Sequence, residues 1–217
     1  MEHDLNKSHY NMIEQQVRPS DVLELRVLSA LAAIMREDFV AEDLVPLAYA
    51  DTELPIGYGQ TMLSPVVEGR FLQALDIQQE EHVLEIGTGS GYFTALLAQL
   101  AKQVSSIELI AELSEQAQQK LREIENIALY IGDASQGWAL PDRVDVIVIT
   151  AAFVTVPERY KHALQVGGRM LVVVGVSPAM EVQIIKRTAE RQWQTETVFE
   201  TVIPAMINAE PKPEFEF

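Results

Sequence analysis

The stretch Val83-Leu84-Glu85-Ile86-Gly87-Thr88-Gly89-Ser90-Gly91-Tyr92-Phe93 constrains the fold more than any other part of the chain. A short apolar run enters three glycines on alternate positions, and Tyr92 to Lys102 then has helical spacing. That order predicts a buried strand, a tight turn and a helix start, the first half of a βαβ unit. Glycine lets the backbone turn sharply and lets a ligand approach without a Cβ in the way. Free N–H groups at such a turn and at the helix start favour an anion.

The spacing limits what that ligand is. A dinucleotide fingerprint places its third glycine three positions after the second. Here Gly91 follows Gly89 by two, Tyr92 stands where glycine or alanine is wanted, and no lysine follows as a P-loop requires. Glu85, just before the turn, suits a ligand with a positive end better than a pyrophosphate. A strand–helix turn without any ligand is the plain alternative.

Downstream, strand and helix patterns alternate. Gln103–Glu108, Ile127–Ile131, Val144–Thr150 and Arg169–Val174 read as strands, and Ala111–Ile124 and Pro157–Leu164 as helices. Nearly continuous apolar runs are buried on both faces, as in a parallel sheet. Val182–Lys186 and Gln192–Val202 have no helix between them and are expected to form a terminal antiparallel pair. The fold class is therefore α/β: a doubly wound, mostly parallel sheet with antiparallel C-terminal strands.

Upstream lies a helical addition. Ser8–Gln16 carries Tyr10, Ile13 and Val17 on one stripe and stops at Pro19. A second helix through Ala33, capped by Ser20 or Asp21, presents Val22, Leu25, Leu28 and Leu31 to a core. Asp51–Pro65, with two prolines and the Gly57-Tyr58-Gly59 triplet, reads as an ordered loop of the length that is often functional. Pro65 then opens a helix to Leu75, with Ser64 as its cap. A single domain is expected over 1–209, made of N-terminal helices and loop (1–76) and an α/β core (77–209). The Pro-rich acidic tail 210–217 is expected to be mobile.

With 16 basic against 32 acidic residues the net charge is −16, which argues against nucleic acid and against an anionic membrane surface. The chain has no cysteine, so disulfides, thiolate metal sites and a cysteine nucleophile are excluded. Its four histidines are scattered, and no metal site is expected. No apolar run approaches membrane length, and the opening residues lack a signal-peptide layout, so a cytoplasmic protein is expected.

Ligands of an open parallel sheet sit at the carboxyl ends of its strands, near the point where strand order reverses. Three such ends carry acids here. Glu85 lies in the first, Glu108 ends the second, twenty-one residues after Gly87, and Asp133 follows the third. A carboxylate ending the second strand accepts from two ribose hydroxyls, and Asp133 is placed to accept from an adenine amino group.

This set resembles the class I S-adenosylmethionine-dependent methyltransferases, whose fold is Rossmann-like. The resemblance implies S-adenosyl-L-methionine as cofactor. Glu85, Gly87, Thr88, Gly89 and Gly91 would lie along it, Glu108 with Leu109 would bind its ribose, and Asp133 with Ala134 would border its adenine. Leu54-Pro55-Ile56-Gly57-Tyr58-Gly59-Gln60-Thr61, Met12-Ile13-Glu14-Gln15-Gln16-Val17-Arg18 and Asp133-Ala134-Ser135-Gln136-Gly137-Trp138 narrow the resemblance to the protein-L-isoaspartate O-methyltransferases. It implies methylation of isoaspartyl carboxylates in damaged proteins, with Ile56, Gly57, Gln60 and Thr61 binding substrate and Thr61 in the catalytic position. One position departs: where the family has a serine that contacts the acceptor carboxylate, this chain has Leu63, with Ser64 one step along. Three readings stay open: an isoaspartyl methyltransferase, a methyltransferase with another acceptor, and a non-catalytic cofactor-binding protein. A carboxylate with a pKa near ~4 is ionised at neutral pH and needs no general base. The chain accordingly offers no catalytic triad.

Overall fold

The structure, a computed structural model, describes residues 2–138 and 143–209. The expected mobile tail lies outside the described residues. In chain order the helices are α1 (Glu2–Asn11), α2 (Leu25–Ala33), α3 (Pro65–Leu75), α4 (Tyr92–Leu100), α5 (Ala111–Leu121) and α6 (Glu158–Ala163). The strands are β1 (Leu54–Gly57), β2 (Gln60–Met62), β3 (His82–Ile86), β4 (Gln103–Glu108), β5 (Ile127–Ile131), β6 (Val144–Phe153), β7 (Leu164–Val176), β8 (Ala179–Ala189) and β9 (Gln192–Glu200).

Strands β3 to β9 form one sheet in the order β5-β4-β3-β6-β7-β8-β9. Pairing is parallel from β5 through β7, while β8 runs antiparallel to β7 and β9 to β8. The chain winds outward from β3 to β5, then crosses to β6 on the other side of β3. The order therefore reverses between β3 and β6, and a crevice opens at their carboxyl ends.

Alternation along the strands sorts side chains onto two cores. Val83, Val146, Val148, Leu171 and Val173 pack with α4, α5 and the N-terminal elements. Leu84, Ile86, Ile147, Ile149, Met170 and Val172 pack on the other face with Tyr160 of α6. Each fully buried side chain of this kind contributes about 1.5–3 kcal/mol. Glu85 shares its face with Val83, which turns it toward α4.

The N-terminal part departs from the sequence expectation in three places. After α1 the chain winds as a π-helix over Met12–Val17, and its wider turn buries Met12 while Tyr10 stays 63% exposed. Asp21 takes a left-handed φ of 66°, which ends the short 3-10 turn Arg18–Ser20, so α2 starts only at Leu25, capped by Glu24. Leu25 consequently faces solvent, while Val22, Leu28 and Leu31 are buried. Ser64 occupies the N-cap position of α3 without a side-chain cap bond; the Val66 N–H is met instead by Asp51 Oδ1 at 3.1 Å.

That Asp51 contact closes a loop around the segment 51–65, which forms a hairpin. Leu54 pairs with Met62, Pro55 with Thr61 and Gly57 with Gln60. Tyr58 at the tip has φ 54°, between Gly57 at 92° and Gly59 at 73°, a left-handed run that folds the two short strands back on each other.

Candidate active site

The β3–α4 turn forms the centre of the crevice. Gly87 has φ 98°, and a Cβ there would sit 2.3 Å from Thr150 Oγ1 on β6. Only glycine lets the two strand ends approach this closely. The Thr150 hydroxyl donates to the carbonyls of Ile86 and Gly87, each at 3.0 Å, and the Gly87 N–H donates to Ile107 O at 2.8 Å. A Cβ on Gly89 would stand 3.2 Å from Ile56 of the hairpin, so the turn and the hairpin face each other across the crevice.

Around this turn lies a cleft that opens to solvent. Ile86, Gly87, Gly89, Ile107, Glu108, Leu109, Gly132, Asp133 and Ala134 line one wall, at the ends of β3, β4 and β5. Ile56, Gln60, Thr61, Met62 and Leu63 line the wall opposite.

Glu108 is nearly buried, and both its oxygens are anchored to backbone: Oε2 accepts from Gly89 N at 2.9 Å and Oε1 from Ile110 N at 3.0 Å. Asp133 Oδ1 accepts from Ser135 N at 2.9 Å and Oδ2 from Asn208 Nδ2 at 2.8 Å. The Ser135 bond holds the Asp133 carboxyl below the usual carboxylate range. An ionised carboxylate offers about four lone-pair sites. Each acid thus keeps acceptor capacity for a ligand. Neighbouring strands are about 4.8 Å apart, so the two acids form a rail along adjacent strand ends.

Glu85 is different. It is fully buried beneath the turn, where Oε2 accepts from Thr94 Oγ1 at 2.5 Å and Ser106 Oγ at 2.6 Å. Thr88 Oγ1 joins this network 2.6 Å from Ser106 Oγ. Burial pushes the Glu85 carboxyl up to about 8, with the charges of Glu108 and Glu68 adding to the rise. Glu85 and Thr88 therefore shape the turn from below and do not line the cleft. Gly91 faces Ala117 and Leu121 of α5, and Gly57 sits at the hairpin bend. Neither lines the cleft.

On the hairpin wall the Thr61 hydroxyl donates to Glu53 Oε2 at 3.0 Å. Leu63 is buried, and its carbonyl accepts from Arg36 Nη2 at 2.5 Å. The other terminal nitrogen of Arg36 pairs with Glu68 Oε2, and both side chains are buried. Burial pushes Glu68 up to about 7 against the opposing pull of Arg36. Glu68, Ser90, Phe93, Thr150 and the segment Pro204–Ile207 complete the lining. Sequence reasoning did not single out Glu68. The signal is there: Glu68 lies four residues before Leu72 and seven before Leu75, an acid on the core stripe of α3. Residues 204–207 reach the cleft because Pro204 O accepts from Ala152 N and Met206 N donates to Ala152 O, both at 2.8 Å.

A model of the "Protein-L-isoaspartate(D-aspartate) O-methyltransferase" family matches residues 7–208. The chain belongs to that family. Relatives called protein-L-isoaspartate O-methyltransferase include one from Magnetococcus marinus, 41% identical over 80% of this chain and 77% of its own. Another, from Syntrophus aciditrophicus, is 41% identical over 85% of each chain, and one from Myxococcus xanthus is 45% identical over 71% and 74%. A Plasmodium falciparum methyltransferase of the same description, solved with S-adenosyl-L-homocysteine, superposes with a TM-score of 0.80 over 91% of this chain and 97% of its own, at 16% identity. That likeness bears on the fold.

The protein is accordingly an S-adenosylmethionine-dependent protein carboxyl methyltransferase, and the first of the three readings is the one its relatives support. The cleft fits the cofactor. The turn carries no Cβ at Gly89, where it faces Ile56 across the cleft, and Glu108 and Asp133 keep acceptors open for hydroxyl and amino groups. Among the described residues no group of acids and histidines is arranged to hold a metal, and no helix is long and apolar enough to cross a membrane.

Proposed function

We propose that the enzyme methylates isoaspartyl carboxylates of proteins with the acceptor held on the β1–β2 hairpin, at Thr61 and the backbone of Gln60 and Thr61. The observation that carries this is the single cleft between Thr61 on one wall and Glu108 with Asp133 on the other. Bound S-adenosylmethionine supplies an electrophilic methyl group on its sulfonium. Glu108 would accept from the ribose hydroxyls and Asp133 from the adenine amino group, which fixes the adenosine along the ends of β4 and β5.

The acceptor carboxylate is ionised at neutral pH, so no side chain has to remove a proton. The protein's contribution is alignment, and holding two reactants in line is worth up to about 7–11 kcal/mol of barrier. Thr61 is the hydroxyl suited to orient the acceptor, since Leu63 supplies only an apolar wall beside Met62 and Ile56. To donate to the incoming carboxylate, the Thr61 hydroxyl has to leave Glu53. A cytoplasmic setting is part of this proposal. Thr61→Val tests the assignment: the KM for an isoaspartyl peptide should rise at least about tenfold with cofactor affinity unchanged, as loss of a charge-assisted bond requires. An unchanged KM would assign the acceptor to other groups.

A further inference from the structure

The cofactor's amino-acid end carries an ammonium group, and a buried cation needs an acceptor of opposite charge. Among the described residues the acids lining the cleft are Glu68, Glu108 and Asp133. Glu108 and Asp133 stand at the ends of β4 and β5, the adenosine side. Glu85, the acid whose place in the sequence suits a positive ligand end, is turned beneath the turn onto Thr94 and Ser106. Glu68 remains.

We propose that Glu68 receives the α-ammonium of the bound cofactor, as a cofactor-binding residue on α3 in the role that the sequence suggests for Glu85. Its position fits. Glu68 lines the cleft with Ser90 of the glycine turn and Phe93 at the start of α4, and with Met62 and Leu63 beside the hairpin. It pairs with Arg36, whose guanidinium lies over the ring of Tyr92, the first residue of α4, so it stands beside the glycine turn. The carboxylate is also preorganised. Oε2 is committed to Arg36, which leaves Oε1 for a ligand. Arg36 is itself fixed by Leu63 O and by the Tyr92 ring, 4.9 Å from its guanidinium carbon. A buried acid held this way gives an incoming ammonium a charged partner at little ordering cost. Arg36 also opposes the burial that pushes Glu68 up to about 7, and an arriving ammonium acts in the same direction.

The inference rests on the methyltransferase reading, and its test reads binding alone, so the failure of either is distinguishable. Calorimetric titration compares wild type with Glu68→Gln, using S-adenosylhomocysteine and an analogue lacking only the α-amino group. Wild type should bind S-adenosylhomocysteine at least tenfold more tightly than the analogue. Glu68→Gln should lose at least tenfold for S-adenosylhomocysteine and stay within twofold for the analogue, so that discrimination collapses. Equal weakening toward both ligands would make Glu68 a support of the hairpin only. No weakening toward either would put the ammonium elsewhere. If Glu68→Gln fails to fold, the double variant Arg36→Met/Glu68→Leu, which leaves no uncompensated buried charge, carries the same comparison with the same outcomes.

Discussion

Glu108 Oε2 accepts the backbone N–H of Gly89 at 2.9 Å, so the acid that ends β4 holds the glycine turn that ends β3. One carboxylate both shapes the turn and lines the cleft. Glu108→Ala removes the proposed ribose acceptors and loosens the turn together. A hydrogen bond to a charged group is worth about 1.5–3 kcal/mol, so S-adenosylhomocysteine should bind at least about tenfold more weakly. Calorimetry on the folded variant checks this, and an unchanged dissociation constant would move the ribose away from Glu108.

Glu85 makes stability depend on pH in a defined direction. Its folded pKa is raised to about 8 from an ordinary 4.5. Between these values the folded protein keeps a proton that the unfolded chain gives up, so stability falls as pH rises through the window. The slope approaches about 1.4 kcal/mol per pH unit for one such group. Glu68, raised to about 7, adds to the decline. Glu85→Gln has no proton to hold, so its unfolding free energy should fall less between pH 5 and 8 than that of wild type. Denaturant titrations at the two pH values measure the difference. Parallel declines in the two proteins would show that Glu85 is ionised in the fold.

Leu63 lines the hairpin wall, at the position where the family resemblance implies a serine. Leu63→Ser adds a donor beside the acceptor carboxylate, and such a bond is worth about 1.5–3 kcal/mol. Felt in the transition state, that is one to two orders of magnitude in rate. The kcat/KM for an isoaspartyl peptide should rise about tenfold. Leu63 is buried, so the same change should cost about 2–5 kcal/mol of stability. Steady-state kinetics beside a thermal melt test both effects. A folded variant with no gain would mean that the hydroxyl does not reach the acceptor.

The sheet was legible because its strands are apolar runs and its turn is fixed by Gly87, which only glycine can occupy beside Thr150. The side of the sheet to which Glu85 points was not. It depends on Thr94 and Ser106, nine and twenty-one residues away, and a strand residue is equally free to face either side until its neighbours are known. The cap of α3 was hidden for the same reason. Ser64 is adjacent in sequence, but Asp51 reaches the Val66 N–H from fifteen residues upstream. The pairing of Arg36 with Glu68, thirty-two residues apart, sets the deep end of the hairpin wall and leaves no local pattern beyond one acid on an apolar stripe. Helical phase alone places Tyr10 and Leu25 in the core, and that phase is reset by the π-helix at Met12 and the late start of α2.

The central claim is that this cleft methylates an isoaspartyl carboxylate. Transfer of the labelled methyl group of S-adenosylmethionine to a short isoaspartyl peptide, with the same peptide bearing a normal aspartyl linkage as control, tests it most directly. The expected result is a base-labile methyl ester on the isoaspartyl peptide and background labelling of the control. Tight binding of S-adenosylhomocysteine with no transfer to the isoaspartyl peptide, or equal labelling of both peptides, would contradict it.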